Sequence, residues 1–140
     1  MTNRHIAFII KDQDPLMMHA DQTVQHACQA MFERRVGAVL IIDDTQQLQG
    51  IFTGRDATHA LAGGGDVSAV KLVDAMTAAP DTIAPEKRAI DALRAMSDGG
   101  YRHLPVVAGG KVVGIVSRGD FEGLELDSFE EETSLWERIR

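Results

Sequence analysis

The chain is expected to fold as a mixed α/β (α+β) body built from two β-α-β-β-α repeats with internal two-fold pseudo-symmetry. Three observations lead there. The sequence matches itself when displaced, so that Pro15 falls on Pro80, Asp21 on Glu86, Ala27 on Ala92, Ala30 on Ala95 and Met31 on Met96. Each copy carries the same ordered run of extended and helical patterns. Each copy also closes on a segment of the form Gly-apolar-x-Ser/Thr-x-x-Asp: Gly50-Ile51-Phe52-Thr53-Gly54-Arg55-Asp56 and Gly114-Ile115-Val116-Ser117-Arg118-Gly119-Asp120. The displacement drops by one residue within a turn, after Ile41-Ile42 have fallen on Val106-Val107, so the single gap sits where a gap is tolerated.

The elements follow in order. Residues 15–20 and 80–85 read as short extended segments punctuated by proline. Asp21 and Glu86 stand where helices are expected to begin, a carboxylate being favoured beside unpaired amides and the positive end of the dipole. Val24, Ala27, Cys28, Met31 and Arg35 keep helical spacing in the first copy, and Ala89, Ile90, Leu93 and Met96 in the second, which stops at Gly99-Gly100. Ala38 to Ile42 and Leu104 to Val107 are apolar runs rich in β-branched residues, read as buried strands. Each leads through a polar or Gly-rich turn to a second run, Leu48 to Thr53 and Val112 to Ser117, giving a hairpin. Short helices are expected from about Asp56 and Asp120. The segmentation is 1–62 for the first repeat with its N-terminal lead-in, 63–69 for a Gly-rich linker, 70–126 for the second repeat, and 127–140 for an acidic and apolar tail. A unit of this length buries too little to stand alone, so the copies are expected to pack on each other.

Composition narrows the class of function. The 140 residues hold 14 Lys+Arg against 21 Asp+Glu, a formal charge of −7, with 44% hydrophobic and 25% charged residues. That balance is ordinary for a soluble protein. Residues 1–120 carry a net charge of only −2, and residues 121–140 the other −5. Net acidity without a basic run argues against a nucleic-acid partner. No apolar run approaches the ~18–20 residues of a membrane span, and the stretch from Ile6 to Ile10 is too short for a signal peptide. The single cysteine, Cys28, has no partner in the chain, which suits a reducing compartment. A cytoplasmic location is expected.

The repeated closing segments carry the sharpest chemistry. Each sets a hydroxyl where a buried strand ends and a helix begins, with a carboxylate three residues on. Helix-terminal amides and a hydroxyl suit phosphate oxygens, and a carboxylate can accept both hydrogen bonds of a ribose diol. Arg55 and Arg118 add donors for phosphate. The competing reading is a plain capping box, common at helix starts. Two copies at equivalent positions shift the weight toward a nucleotide.

With Val36-Gly37-Ala38-Val39-Leu40-Ile41-Ile42 and Tyr101-Arg102-His103-Leu104-Pro105-Val106-Val107 upstream of these segments, the sequence resembles a tandem cystathionine-β-synthase (CBS) domain pair, or Bateman module, of the stand-alone bacterial type. The resemblance spans about residues 5–126. It implies two repeats packed sheet to sheet, with clefts for an adenosine-containing ligand: AMP, ADP, ATP or NAD(H). It assigns ribose binding to Asp56 and Asp120 and phosphate contact to Thr53 and Ser117, with Arg118 as a cationic contact. Arg102, His103 and Pro105 lie in a region that flanks the phosphates in this family, and Tyr101, Ile83 and Val106 would help wall the adenine; Tyr101 reads equally as a rim packing residue. The first copy has Val36-Gly37-Ala38 where the second has Tyr101-Arg102-His103, so the second copy is expected to offer the richer phosphate environment. The resemblance also implies a homodimer of CBS pairs.

Other candidates are weaker. The five histidines show no zinc-binding spacing. Cys28 sits on an apolar stripe and reads as core rather than nucleophile. Gly63-Gly64-Gly65 lacks the Lys-Ser/Thr of a phosphate-binding loop. No catalytic constellation, metal site or required cofactor is expected, and the chain reads as a non-catalytic adenine-nucleotide sensor acting on an unidentified client protein. The alternative is a structural dimerisation or docking module with empty clefts. In the tail, Leu135, Trp136 and Ile139 are spaced for one sticky helical face, expected to dock on the body or on a second copy.

Overall fold

The computed structural model describes residues 3–121 and 123–138. In chain order its elements are α1 (Ile6–Ile9), β1 (Met17–Met18), α2 (Val24–Arg34), β2 (Ala38–Ile42), β3 (Leu48–Thr53), α3 (Gly54–Ala62), α4 (Leu72–Ala75), β4 (Thr77–Ala78), α5 (Ala89–Gly99), β5 (His103–Ala108), β6 (Lys111–Ser117), a 3₁₀ turn (Arg118–Asp120) and α6 (Gly123–Arg138). They form two compact units. One takes Asp14–Asp81 and Gly109–Val112; the other takes Met1–Gln13, Thr82–Ala108 and Val113–Arg140.

The first unit is organised by β2, whose five residues are all buried. A continuous Ala-Val-Leu-Ile-Ile run leaves no polar face, so the strand must sit mid-sheet with both sides covered. The sheet order is β1-β2-β3-β4, with β1 parallel to β2 and the other pairs antiparallel. Met18, Val24, Ala27, Met31, Val39, Ile41, Phe52 and Leu72 form its core. Full burial of Phe52 or Leu72 contributes about 1.5–3 kcal/mol each.

The second unit holds the two-stranded sheet β5-β6 and a core of Ile6, Ile10, Ile83, Leu93, Met96, Leu104, Val106 and Val116, with Phe121 and Phe129. The acidic tail docks on this unit's own body through α6. Phe129 enters the core, Arg94 pairs with Glu132 at 2.7 Å, and Glu125 is only 2% exposed. Leu135 and Trp136 remain 58% and 59% exposed. Ile139, the third member of the expected face, lies outside the described residues.

Helix starts depart from the sequence expectation. The helices begin at Val24 and Ala89, three residues beyond Asp21 and Glu86. The Thr23 hydroxyl accepts the His26 amide at 3.2 Å, and the Asp91 carboxylate accepts the Arg88 amide at 3.0 Å. These partners reach the unpaired amides from within hydrogen-bond distance and therefore define the ends. Arg35 is not on the buried stripe: it terminates α2 in the left-handed conformation, φ 55°. Residues 80–85 supply one parallel bridge, Ile83 to Val106, in place of a strand, since Pro80 and Pro85 have no N–H to donate.

The compact units do not follow chain order. The lead-in Ile6–Ile9 belongs with the second repeat, and the segment around α4 with the first. The hydrogen bonds repeat in detail. Val24 N–H donates to Val70 O at 2.9 Å, and Ala89 N–H to Arg4 O at 2.8 Å; Leu72 N–H donates to Gln22 O, and Ile6 N–H to Lys87 O, both at 2.8 Å. The bridges Thr23–Lys71 and His5–Arg88 complete the correspondence. Each lead-in thus occupies the same seat, on the repeat other than the one that it immediately precedes in the chain.

Candidate functional site

Each motif closes a hairpin and turns its hydroxyl and carboxylate toward one another. In the first unit, β3 ends at Thr53 and α3 begins at once. Asp56 Oδ2 accepts the Thr53 amide at 2.9 Å and the Thr53 hydroxyl at 3.2 Å. Its other oxygen, Oδ1, accepts from the Thr77 hydroxyl at 3.2 Å. Arg55 is exposed beside it.

In the second unit, β6 ends at Ser117 and the next residues make a single 3₁₀ turn. Asp120 Oδ2 accepts the Ser117 amide at 2.7 Å and its hydroxyl at 3.2 Å. Among the described residues Asp120 Oδ1 has no hydrogen-bond partner. Both carboxylates therefore cap their helix starts, as the capping-box reading expects, but Asp120 keeps one oxygen and an exposed position while Asp56 has both oxygens engaged.

Five of the expected residues converge at this end of the β5–β6 hairpin. Arg118 N–H donates to Arg102 O at 3.1 Å, tying the strand ends together. His103 opens β5. Burial pushes the His103 imidazole below its ordinary pKa and the neighbouring Arg102 guanidinium adds to this, while the Asp120 carboxylate pulls the other way. The imidazole is therefore mainly neutral at pH 7, able to donate one hydrogen bond and accept another. Arg102 and Arg118 supply positive charge, Ser117 a hydroxyl and Asp120 a carboxylate oxygen. This set can bind an anion beside a diol.

Ile83 pairs with β5 beside Pro105 and Val106. Ile83 N–H donates to Pro105 O and Val107 N–H to Ile83 O, each at 3.0 Å, and all three side chains are buried. Tyr101 is half-buried against the core. No counterpart of Arg102 or His103 stands in the first unit, where Gly37 O receives the Gly54 amide instead. A separate cavity of about 500 Å³ in that unit is lined by His19, Ala20, Asp21, Ile42, Asp43, Asp44 and Gln49, none of them expected site residues. Among the described residues no group of three or more His, Cys, Asp or Glu is placed to hold a metal ion, and no helix is long and apolar enough to cross a membrane. Burial pushes the Cys28 thiol up, the opposite of what an activated nucleophile needs.

The family model for the CBS domain matches twice, over residues 9–63 and 67–123. The chain belongs to the CBS-domain family. This CBS pair is 36% identical over 102 residues to CBS domain-containing protein CBSCBSPB1 of Arabidopsis thaliana, covering 72% of this chain and 19% of that protein. It thus spans about a fifth of the length of that curated relative. The crystal structure of CBS domain NE2398 superposes with TM-score 0.80 at 26% identity, over 90% of this chain and 98% of that one. CBS domain protein PAE2072 of Pyrobaculum aerophilum, solved in complex with AMP, shares the fold at TM-score 0.83 and 20% identity, over 91% and 99% of the two chains.

Two features of the CBS repeats escaped sequence reasoning. The motif glycines make room for the lead-ins: a Cβ on Gly50 would meet Met76 Sδ at 2.5 Å and Thr77 O at 2.9 Å, and one on Gly114 would meet Ile10 Cβ at 2.8 Å. Their recurrence at the same motif position was a visible signal. The second feature, the contact of Arg4 with the turn that holds Asp120, left no local trace, since its partners are 116 residues apart.

Proposed function

We propose that the chain is a non-catalytic regulatory module that binds an adenine nucleotide (AMP, ADP, ATP or NAD(H)) and that its stronger site is in the second repeat. The observation that carries this reading is the convergence of Arg102, His103, Ser117, Arg118 and Asp120 at one end of the β5–β6 hairpin, with no partner on Asp120 Oδ1 among the described residues. In it, Asp120 holds the ribose diol, Ser117 with the cationic side chains holds phosphate, and Ile83, Pro105, Val106 and Tyr101 wall the adenine. Thr53, Arg55 and Asp56 form the weaker equivalent in the first repeat, because Thr77 already occupies Asp56 Oδ1 and Gly37 and Ala38 stand where the second repeat has Arg102 and His103. Binding stabilises the folded chain by mass action, and the liganded state is what a client protein reads.

The same proposal includes a cytoplasmic location, the segmentation at 62, 69 and 126, and self-association into a dimer of CBS pairs. The large exposed apolar residues, Phe32 at 85% foremost, support the last. A second reading, a docking module with empty clefts, draws on the fact that both carboxylates cap their own turns.

Calorimetry and thermal shift of nucleotide-free protein with AMP, ADP, ATP, NAD and NADH separate the two. A response to at least one is expected. Asp120→Asn, which keeps an acceptor for the cap, should weaken binding about 10–100-fold, the worth of a lost charged hydrogen bond, and more than Asp56→Asn. Silence toward all five ligands from folded protein would refute nucleotide binding, and the reverse order of the two variants would refute the ranking.

A further inference from the structure

The two motif carboxylates are held by different means. Asp56 belongs to the nine-residue helix α3, whose own hydrogen bonds fix it. Asp120 belongs to a three-residue 3₁₀ turn, after which Phe121 is extended. A single turn of this kind has little intrinsic stability, so something else must hold it.

Besides the Ser117–Asp120 capping pair and the Arg118–Arg102 hydrogen bond, the N-terminal strap holds it. Arg4 Nη2 donates to the Asp120 carbonyl oxygen at 2.9 Å and to Glu125 Oε1 at 2.8 Å. Arg4 Nε lies 3.3 Å from both Glu125 oxygens, and the Arg4 backbone amide donates to Oε2 at 2.9 Å. Glu125 is 2% exposed, and Arg4 is largely covered as well. A buried carboxylate is tolerable only with such partners, and the fork of one guanidinium reaches both the carboxylate and the turn. On either side the strap is pinned: Ile90 N–H donates to Asn3 Oδ1 at 3.1 Å, and the Gln13 carboxamide bonds both N–H and C=O of Ile115 at 3.0 and 2.7 Å. The seat equivalent to Arg4 in the first unit is Val70, which has no charge to offer.

We propose that Arg4 and Glu125 are positioning residues that hold the Asp120 turn in its ligand-binding conformation, so that competence of the second-repeat site depends on the N-terminal strap. The proposal rests on the reading of Asp120 as a nucleotide-binding carboxylate, but its geometry can be tested without any nucleotide. Arg4 acts through the backbone of Asp120.

The test uses the full chain with Arg4→Gln and, as a variant that leaves no buried unpaired charge, the double substitution Arg4→Met with Glu125→Leu. His103 is titrated by NMR in ligand-free protein. Release of the turn alters both the burial of the imidazole and its approach to the Asp120 carboxylate, so the His103 titration should move away from the wild-type value in both variants. Arg4→Lys, which can still reach the carbonyl, should restore most of the wild-type value. With AMP as probe, both variants should lose about tenfold in affinity at the second-repeat site and none at the first. An unchanged His103 titration in the folded double variant overturns the proposal, as does an equal loss of AMP affinity at both sites. Absence of AMP binding by the wild type would refute the nucleotide reading and leave the His103 result to decide the positioning role.

Discussion

Gly114→Ala should destabilise the second unit through a contact that no local pattern announces. An added Cβ would stand 2.8 Å from Ile10 Cβ and 2.9 Å from both Ile10 Cγ2 and Gln13 Oε1, where ordinary contact begins at 3.4 Å. The strand and the strap must therefore part by about 0.6 Å. Neither neighbour can yield freely: Ile10 is in the core, and Gln13 holds both backbone groups of Ile115. Overpacking of this kind costs about 1–3 kcal/mol, and the smaller backbone entropy of alanine in the unfolded chain returns about 0.4–1 kcal/mol. The net is a loss of up to about 2.6 kcal/mol, and against a control that gains the same entropy the full cost of about 1–3 kcal/mol shows, or about 3–10 °C in Tm for a chain of this size. Thermal and urea unfolding measure it, with Gly119→Ala as the control, since a Cβ there meets nothing within 4 Å. If Gly114→Ala melts within about 1 °C of Gly119→Ala, the seat assigned to the lead-in is wrong.

Other outcomes follow from the same geometry. Because His103 is held below its ordinary pKa, the folded protein binds fewer protons than the unfolded chain as pH falls below about 6.5, so its contribution to stability is complete above that value and is lost on acidification. Urea unfolding between pH 5 and 7.5 should show this slope, and His103→Gln should flatten it; a nucleotide phosphate should move the His103 titration upward and bind more tightly as pH falls from 7.5 to 6. Phe129→Ala should cost about 3–5 kcal/mol by emptying a core position. Deletion of residues 127–140 should cost at least as much and change the oligomeric state; a truncated chain with unchanged mass and Tm would contradict the docking of α6.

Local chemistry accounts for what was legible in advance. Ala38–Ile42 is a strand because an unbroken run of apolar, mostly β-branched residues bounded by turns has no helical face to show, and its bounds agree with the expectation. Leu48–Thr53 follows because a polar turn returns the chain antiparallel, and the Thr53–Asp56 and Ser117–Asp120 pairs are visible because hydroxyl and carboxylate lie three residues apart. The helix starts at Thr23 and Arg88 were less legible, since several polar residues compete for the same amides and only the folded chain shows which reaches them.

The sequence by itself determined the repeat, the order of strands and helices within it, and the types of residue at the two motif sites, all of which depend on neighbours a few positions apart. The tertiary structure decided which repeat each lead-in packs against, why Gly50 and Gly114 must lack a Cβ, and how Arg4 comes to grip Glu125 and the Asp120 turn. Those contacts join segments separated by tens of residues to more than a hundred. Periodicity and capping preferences carry no information about such pairs; they are selected by how buried side chains fill space and how buried polar groups find partners.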